Sequence, residues 1–363
     1  MNILFIYDIG WELPLDFNLK TKGLGGSETW LIETTSYLQS TNNQCIIVYP
    51  KYYKHKIYVD DNNVIYINKQ YLDSFLTYTH IDKVCFVRWI NSDIINIINN
   101  HYNKLDLYVV VHDIYFWYNN EMCTKENVEK NNFFMNNCKK IICMSQYGIN
   151  ICQYYTQLPL SLFDYTGNGI NFSYFNEQSN INKDNSILWS SCPERGLEQF
   201  ANNIFPIYKQ EFPDAKLYVA TYTNNFPESL QNNKDIIYLG GLGKEDLYNE
   251  MQKHKVYFYP NFFPETFCIT ILEAILCGCD LVMPFKHGPQ TTLSIFKDLF
   301  LDESIDFLNC NEKIYEESAK LLIDYNKTYY NSDRIQIRTI MKNYILKEYS
   351  WENICKKFIN ILK

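Results

Sequence analysis

Residues 259–284 read YPNFFPETFCITILEAILCGCDLVMP, and this stretch decides how the chain folds. The apolar run Val256–Tyr259 leads into it and predicts a short buried strand. Ile269–Cys277 has the length of a helix, and Gly278 follows as a residue type that commonly ends helices. Leu281–Met283 begins the next strand. The order strand, loop, helix, strand predicts an α/β unit built around this helix.

One carboxylate stands out on the predicted helix. Glu273 is the only acidic residue between Thr266 and Cys279, and its neighbours are almost all apolar. A helix that is apolar nearly all round is a buried helix, and a buried carboxylate is costly unless a partner satisfies it. Glu265 lies in the loop before the helix. The start of the helix therefore has a carboxylate on either side.

The first backbone N–H groups of this helix, near Cys268, Ile269 and Thr270, lack partners within the helix and carry the positive end of its dipole. Such a helix start is a ready site for a phosphate. Glu273, one turn further on, is placed to accept hydrogen bonds from a ribose diol, and Glu265 to meet hydroxyl groups beyond the phosphates. Phosphate, ribose and polyol in a row describe a sugar nucleotide. The alternative is a capped core helix with a stray glutamate at its edge.

The pattern Glu265–x7–Glu273, with Gly278 after it, resembles the signature of retaining glycosyltransferases of family 4. This resemblance implies the GT-B fold, an α/β architecture of two Rossmann-like doubly wound parallel-sheet domains facing a central cleft. It also implies that Phe267 and the helix start after it bind the donor. Cys268 stands where many relatives have glycine.

Length and composition agree with a large globular enzyme. The 363 residues suffice for two domains, and 47 % hydrophobic with 20 % charged residues is an ordinary balance. The net charge of −8 argues against nucleic acid as a partner and leaves peripheral contact as the only membrane interaction expected. The twelve cysteines include no CxxC, and the chain has neither a signal-peptide pattern nor a membrane-spanning apolar run. These features predict a cytoplasmic protein with reduced thiols.

A strand, a glycine-rich loop and a helix open the chain. Asn2–Tyr7 is a short apolar strand, the loop contains Gly25 and Gly26, and Thr29–Gln39 has apolar residues at helical spacing. This order brings backbone amides close to a phosphate, although a tight turn explains the glycines equally well. Family 4 enzymes usually place a similar Gly-Gly loop here, so the resemblance implies that Gly25 and Gly26 face the donor phosphates and the acceptor.

His112 ends a predicted strand, at the edge where open α/β sheets bind their ligands. The resemblance implies a histidine here that contacts the donor sugar or its phosphate, so His112 and Glu265 are the predicted catalytic residues. The alternative is a core histidine bonded to backbone. Arg88 ends the neighbouring strand and is predicted to line the same cleft. The elements predicted in this half alternate, which indicates a parallel sheet: strands at Cys45–Tyr49, Val64–Ile67, Val84–Trp89, Leu107–His112 and Lys140–Met144, and helices at Asp93–His101 and Asn127–Cys138.

The turn-rich segment Asp164–Asn171 resembles the linker between the two domains of GT-B enzymes. We predict a first, acceptor-side domain at residues 1–168, joined by the closing helix 350–363, and a second, nucleotide-sugar-binding domain at residues 169–349. A second alternation of strands and helices fills the latter: strands at Ile187–Trp189, Lys216–Ala220 and Ile236–Leu239, and helices from Leu197 to about Tyr208 and at Lys244–Lys253, Asn311–Tyr325 and Arg334–Glu348. The closing helix is predicted at Trp351–Leu362.

Arg195 lies between a strand end and a helix start, where a guanidinium can meet a diphosphate bidentately. The alternative is a surface salt bridge to an adjacent glutamate. Family 4 enzymes usually carry a basic pair here. Arg195 matches its second member, whereas Ser190 or Ser191 stands at the first. Lys22 and Lys244 are the candidates to supply the missing charge, and the sequence does not decide between them.

These residues together predict a retaining glycosyltransferase that moves a hexosyl or related sugar from a nucleotide sugar to a carbohydrate-containing acceptor: a glycan, a lipid or a protein-linked glycan. A catalytically silent GT-B protein that binds nucleotide sugars and a GT-B sugar-nucleotide epimerase are alternatives. A silent relative has no need to keep all of His112, Arg195, Glu265 and Glu273. The chain contains no Asp-x-Asp motif, so neither a metal nor another cofactor is expected. The base, the sugar and the acceptor stay open.

Overall fold

The computed structural model describes residues 1–7, 23–49, 56–113, 129, 132–133, 135–176, 181–221, 226–260, 263–300 and 312–363. The chain divides into two compact units. The first contains the N-terminal strand, Gly26–Gly169 and Trp351–Lys363, and the second contains Ile170–Ser350 and, among the described residues, 23–25, which include Gly25. The division after Gly169 lies next to the boundary predicted at 168/169. Lys22, a candidate for the missing charge, lies outside the described residues.

The first unit is organised around an eight-stranded sheet with the order β3-β4-β2-β1-β5-β6-β7-β8. Neighbouring strands run parallel, except that β3 pairs antiparallel with β4 at one edge. Its inner strands are nearly continuous apolar runs because a parallel sheet is buried on both faces. The strands are β1 (Asn2–Ile6), β2 (Gln44–Tyr49), β3 (Ile57–Val59), β4 (Ile65–Asn68), β5 (Lys83–Val87), β6 (Asp106–Val111), β7 (Cys138–Cys143) and β8 (Phe163–Tyr165).

The helices of the first unit include the first and the last of the chain. Those with described bounds are α1 (Gly26–Ser40), α2 (Leu72–Leu76), α3 (Ser92–His101), α4 (Gln146–Thr156) and α12 (Trp351–Leu362). Phe358 of α12 stacks on Phe5 of β1, with ring centroids 6.2 Å apart, and meets Trp30 of α1 edge-on at 5.3 Å. The closing helix therefore completes the core of the first unit.

The second unit contains a five-stranded parallel sheet with the order β11-β10-β9-β12-β13. Its strands are β9 (Ile187–Trp189), β10 (Leu217–Ala220), β11 (Ile236–Gly240), β12 (Val256–Phe258) and β13 (Asp280–Val282). Its helices are α5 (Leu197–Gln199), α6 (Phe205–Glu211), α7 (Lys244–Met251), α8 (Ile269–Leu276), α9 (His287–Thr292), α10 (Glu312–Thr328) and α11 (Ser332–Glu348).

Each sheet has a point at which the strand order reverses. In the first unit this point lies between β1 and β5, and in the second between β9 and β12. Open α/β sheets bind ligands outside the carboxyl ends of their strands at such a point. Residues that directly follow these four strands are therefore the first place to look for a site.

Most predicted elements are present with ends shifted by one to three residues, and two departures have a clear cause. The predicted strand Val84–Trp89 ends at Val87 because Arg88 takes a left-handed conformation, with φ of 70°. The predicted helix after Leu197 is interrupted by a π-helical turn at Phe200–Ile204. This turn directly precedes Pro206, which has no N–H to donate and crowds the preceding turn of a regular helix.

Five of the helices and strands named above were not predicted: β3, α2, α4, β8 and α9. The edge strand β3 is short and largely exposed, and α4 is rich in polar residues. The strand β8 reaches into Asp164–Asn171, so the start of that segment is not the irregular linker predicted. The described residues of the predicted helix Asn127–Cys138 are helical as far as Asn137, and Cys138 already belongs to β7. No helix within the described ranges is both long and apolar enough to span a membrane.

Candidate functional site

The start of α8 is a candidate anion site in the second unit. Cys268 precedes the helix with φ of 70°, and no side chain caps the helix end. A left-handed residue at this position explains why glycine is usual in similar proteins, because glycine adopts positive φ without strain. Burial raises the pKa of the Cys268 thiol, which therefore stays neutral and adds no negative charge. The amides at Ile269 and Thr270 keep the positive end of the dipole.

Glu273 is buried, as its apolar helix predicts, with only 1 % of its surface exposed. Two groups of α7 satisfy it. Lys244 Nζ lies 2.5 Å from Glu273 Oε1, and the Tyr248 hydroxyl donates to the same oxygen at 3.1 Å. Lys244 and Tyr248 are one helical turn apart, so both side chains leave the same face of α7. The sequence predicts Lys244 as a possible diphosphate ligand, whereas in the structure its ammonium group contacts the Glu273 carboxylate.

Buried Glu265 and half-buried Arg195 form a second ion pair. The Arg195 guanidinium contacts Glu265 Oε1, and the Tyr259 hydroxyl donates to the same oxygen at 2.7 Å. Arg195 also lies over the ring of Phe263, 4.5 Å from its centroid. The loop between β12 and α8 therefore holds both the carboxylate and the aromatic face against which the guanidinium rests. Tyr259, which directly follows β12, is a site residue that sequence reasoning missed.

These groups converge at the reversal point of the second sheet. Ser190 directly follows β9, and its hydroxyl lies 2.9 Å from the hydroxyl of Tyr257 in β12. The backbone oxygen of Ser191 accepts a hydrogen bond from Trp189 Nε1 at 2.9 Å. Both serines at the expected basic position are thus engaged with neighbouring aromatic residues. Arg195 is the guanidinium at this edge that the structure places beside the α8 loop.

Gly288 is a further residue of the site, on the first turn of α9. Its N–H donates to the backbone oxygen of Glu265 at 2.7 Å. A Cβ at this position would lie 2.3 to 2.5 Å from backbone atoms of Thr266 and Phe267. Only glycine permits this close approach, so Gly288 sets the distance between the start of α9 and the loop that carries Glu265. The sequence hints at it only through the turn-forming residues around Pro289.

The first unit has its own polar group at the reversal point of its sheet. His112 follows β6, and its ring meets Trp30 of α1 edge-on at 5.4 Å. Burial, with a contribution from Arg88, lowers the pKa of His112 to about 3. The imidazole is therefore neutral at pH 7. Gly26 is the first residue of α1, so the predicted Gly-Gly loop ends at a helix start on this unit.

Around His112 lie charged groups that sequence reasoning largely missed. Arg88, in its left-handed conformation after β5, binds Asp113 Oδ2 at 2.6 Å. Tyr7, directly after β1, donates a short hydrogen bond to Glu28 of α1. Each of these residues follows a strand or opens a helix at the same edge. Within each unit the structure thus gathers the predicted residues: His112 with Arg88 in the first, and Arg195 with Glu265 beside the α8 start in the second.

The comparisons with known proteins agree with this architecture. Residues 186–293 match the family model described as Glycosyl transferases group 1, and this range contains Arg195, Glu265 and Glu273. A curated relative is the lipopolysaccharide 1,2-N-acetylglucosaminetransferase of Salmonella typhimurium, which is 22 % identical over 96 % of this chain and 96 % of its own length. Residues 186–293 of the second unit are therefore similar to the group 1 glycosyl transferases.

Several solved structures share the fold. Sucrose-phosphate synthase from Thermosynechococcus elongatus has a TM-score of 0.71 at 11 % identity, covering 99 % of this chain and 98 % of its own. Anabaena HepE in complex with UDP-glucose has a TM-score of 0.67 at 13 % identity, covering 100 % and 99 %. WaaG, a glycosyltransferase involved in lipopolysaccharide biosynthesis, has a TM-score of 0.66 at 12 % identity, covering 100 % of both. The predicted GT-B fold, with two Rossmann-like parallel-sheet domains, is confirmed.

Proposed function

We propose that this protein is a retaining glycosyltransferase of family 4, which transfers a hexosyl or related sugar from a nucleotide sugar to a carbohydrate-containing acceptor. The observation that carries the proposal is the arrangement around α8: an uncapped helix start with buried Glu273 one turn inside it and Glu265 just outside it. This arrangement lies within the range that is similar to the group 1 glycosyl transferases. A cytoplasmic place of action stays a prediction.

The second unit is proposed to bind the donor nucleotide. The free amides at the start of α8 are suited to the diphosphate, on which negative charge develops as the sugar leaves. Arg195 adds a guanidinium that can bind such a group bidentately. Glu273 is suited to the ribose hydroxyl groups, and Glu265 to those of the sugar. UDP-sugars are the first donors to test, because HepE binds UDP-glucose and the pneumococcal O-GlcNAc transferase GtfA binds UDP and GlcNAc.

The neutral state of His112 narrows its proposed role. An imidazole with a pKa of about 3 carries no positive charge at pH 7 and offers a diphosphate no ionic partner. It can still exchange hydrogen bonds with a sugar hydroxyl group. We therefore assign His112 to the donor sugar rather than to its phosphate. The acceptor is proposed to be a saccharide, by analogy with the Salmonella enzyme, whose name places its action on lipopolysaccharide.

The test combines binding with turnover. UDP-glucose, UDP-GlcNAc, GDP-mannose and ADP-glucose are screened by thermal shift, since a ligand of the folded state raises the melting temperature by mass action. The donor that binds is then incubated with saccharide acceptors, and the anomeric configuration of the product is read by NMR. We expect retention. Inversion, or conversion of the donor to an epimer without transfer, would contradict the proposal.

A second arm tests the catalytic residues. His112→Ala and Glu265→Gln are expected to lower kcat while UDP affinity stays near that of the parent, because both are assigned to the sugar. An equal loss of UDP affinity would show that the two residues contact the nucleotide instead.

Transfer is also proposed to need no divalent metal, because Arg195 and the α8 amides are fixed before reaction and can stabilise the leaving diphosphate. Activity that disappears with EDTA and returns with Mg²⁺ or Mn²⁺ would overturn this part.

A further inference from the structure

The two carboxylate oxygens of Glu273 differ in their contacts. Oε1 accepts hydrogen bonds from Lys244 Nζ at 2.5 Å and from the Tyr248 hydroxyl at 3.1 Å. Within the described ranges, Oε2 has no hydrogen-bond partner. An ionised carboxylate offers about four acceptor positions over its two oxygens. The helix α7 thus occupies one oxygen and leaves the other available for hydrogen-bond donors.

Both members of this ion pair are largely buried. The Glu273 side chain is 2 % exposed and that of Lys244 is 12 % exposed. Removing one partner of such a pair leaves the other charge without compensation, so the contact is strongly favoured once both groups are present. Lys244 therefore determines which oxygen of Glu273 faces α7 and which stays available.

We propose that Lys244 is a positioning residue for donor binding: together with Tyr248 it holds Glu273 turned so that Oε2 meets the ribose diol. The inference rests on the proposed function, in which Glu273 binds the ribose. It replaces the idea that Lys244 supplies the missing positive charge to the diphosphate. The ammonium group of Lys244 is already paired with the buried carboxylate of Glu273, so its charge is not available to a diphosphate in the same way.

The experiment compares pairs of nucleotides that differ in one hydroxyl group. UDP, GDP and ADP are titrated calorimetrically into the parent protein, and the one that binds is repeated as its 2′-deoxy form. The ratio of the two affinities measures how much the 2′-hydroxyl contributes. Lys244→Met removes the ammonium group at similar length, and Lys244→Arg keeps the charge. Tyr248→Phe removes one hydrogen bond and leaves the ion pair in place, so it tests the same idea in a protein whose folding is less at risk.

We expect the parent to prefer the ribonucleotide about tenfold to a hundredfold, the value of hydrogen bonds to a charged group. In Lys244→Met this preference should fall to about twofold or less, with the 2′-deoxy nucleotide bound as in the parent. Lys244→Arg should keep most of it, and Tyr248→Phe should lose about fivefold. Lys253→Met is the matched control, because Lys253, whose side chain is 53 % exposed, pairs with Glu250 at the same 2.5 Å.

The outcomes separate the possible roles. If Lys244→Met weakens the ribonucleotide and its 2′-deoxy form equally, Lys244 contacts the diphosphate and the proposal is wrong. If Lys244→Met, Tyr248→Phe and the control all bind like the parent, Lys244 has no part in donor binding. If the parent binds none of the three nucleotides, the proposed function fails and this inference fails with it.

Discussion

Replacing Glu273 by glutamine should destabilise the protein even in the absence of any ligand. From the sequence alone one expects the opposite, because removing a buried charge relieves its desolvation. The structure predicts a loss of stability instead, because Lys244 Nζ lies 2.5 Å from Glu273 Oε1 and only 12 % of the Lys244 side chain is exposed. Glu273→Gln keeps the shape of the side chain but leaves this ammonium group without its counter-charge.

The expected magnitude follows from the burial of the pair. Breaking a buried ion pair by removing one partner costs about 3–5 kcal/mol, and we expect the lower end because Lys244 keeps some contact with solvent. With a urea dependence of about 2–3 kcal/mol per molar, the unfolding midpoint of the second unit should fall by about 1 M. The double variant Glu273→Gln/Lys244→Met removes both charges, so no unpaired charge remains and most of the lost stability should be recovered.

Urea unfolding followed by tryptophan fluorescence measures these midpoints. The matched control is Glu352→Gln on α12, which breaks a pair of the same 2.5 Å length whose partners are 58 % and 59 % exposed. That variant should unfold at the parent's midpoint, because exposed pairs are weak. Our reasoning is refuted if Glu273→Gln unfolds like the parent, or if the double variant is no more stable than the single one.

Three further predictions concern other parts of the second unit. Gly288→Ala should cost about 1–3 kcal/mol through overpacking and lower turnover more than UDP affinity, since its Cβ would collide with the loop backbone; unchanged kinetics would contradict this. Burial opposes the charge of His254, but hydrogen bonds to Asp184 and Glu250 raise its pKa. The stabilisation by protonated His254 is therefore complete below about pH 6.5, the pKa of the unfolded state, and is lost as the pH rises through the higher pKa of the folded state. The urea midpoint should decline as the pH rises above about 6.5 in the parent but not in His254→Gln. Arg195→Ala should weaken UDP binding by about 1.5–3 kcal/mol in calorimetry, with partial recovery in Arg195→Lys because the planar fork is lost; an unaffected alanine variant would remove Arg195 from the nucleotide site.

The sequence was sufficient for α8 because several local signals agree there. An apolar run of helical length, a glycine after it and short apolar strands on both sides leave little choice of structure. Edge strand β3 was missed because it is short and exposed. Helix α4 was missed because most of its residues are polar, although its Ile149 and Cys152 pack into the core of the first unit. Propensity and periodicity describe how a segment meets a core, and β3 meets it weakly.

The partners of the site residues could not be predicted in the same way. The sequence suggested that Arg195 would pair with a diphosphate or with an adjacent glutamate, and in the structure it pairs with Glu265 on a different loop. Lys244 reaches Glu273 across 29 positions of sequence. Residue type and position at a strand end predict that a group faces the site. Which groups meet depends on how separate strands are ordered in the sheet, and that order is a tertiary property.

Under the proposed function, the ion pair between Arg195 and Glu265 couples the place of the diphosphate to that of the sugar. The Arg195 guanidinium contacts Glu265 Oε1. A guanidinium has five N–H groups, so it can bind a diphosphate while it keeps this contact. The diphosphate would then lie beside the carboxylate, and so would the first hydroxyl groups of the sugar attached to it. A nucleotide sugar would meet both members of the pair, whereas a free sugar would meet only the carboxylate.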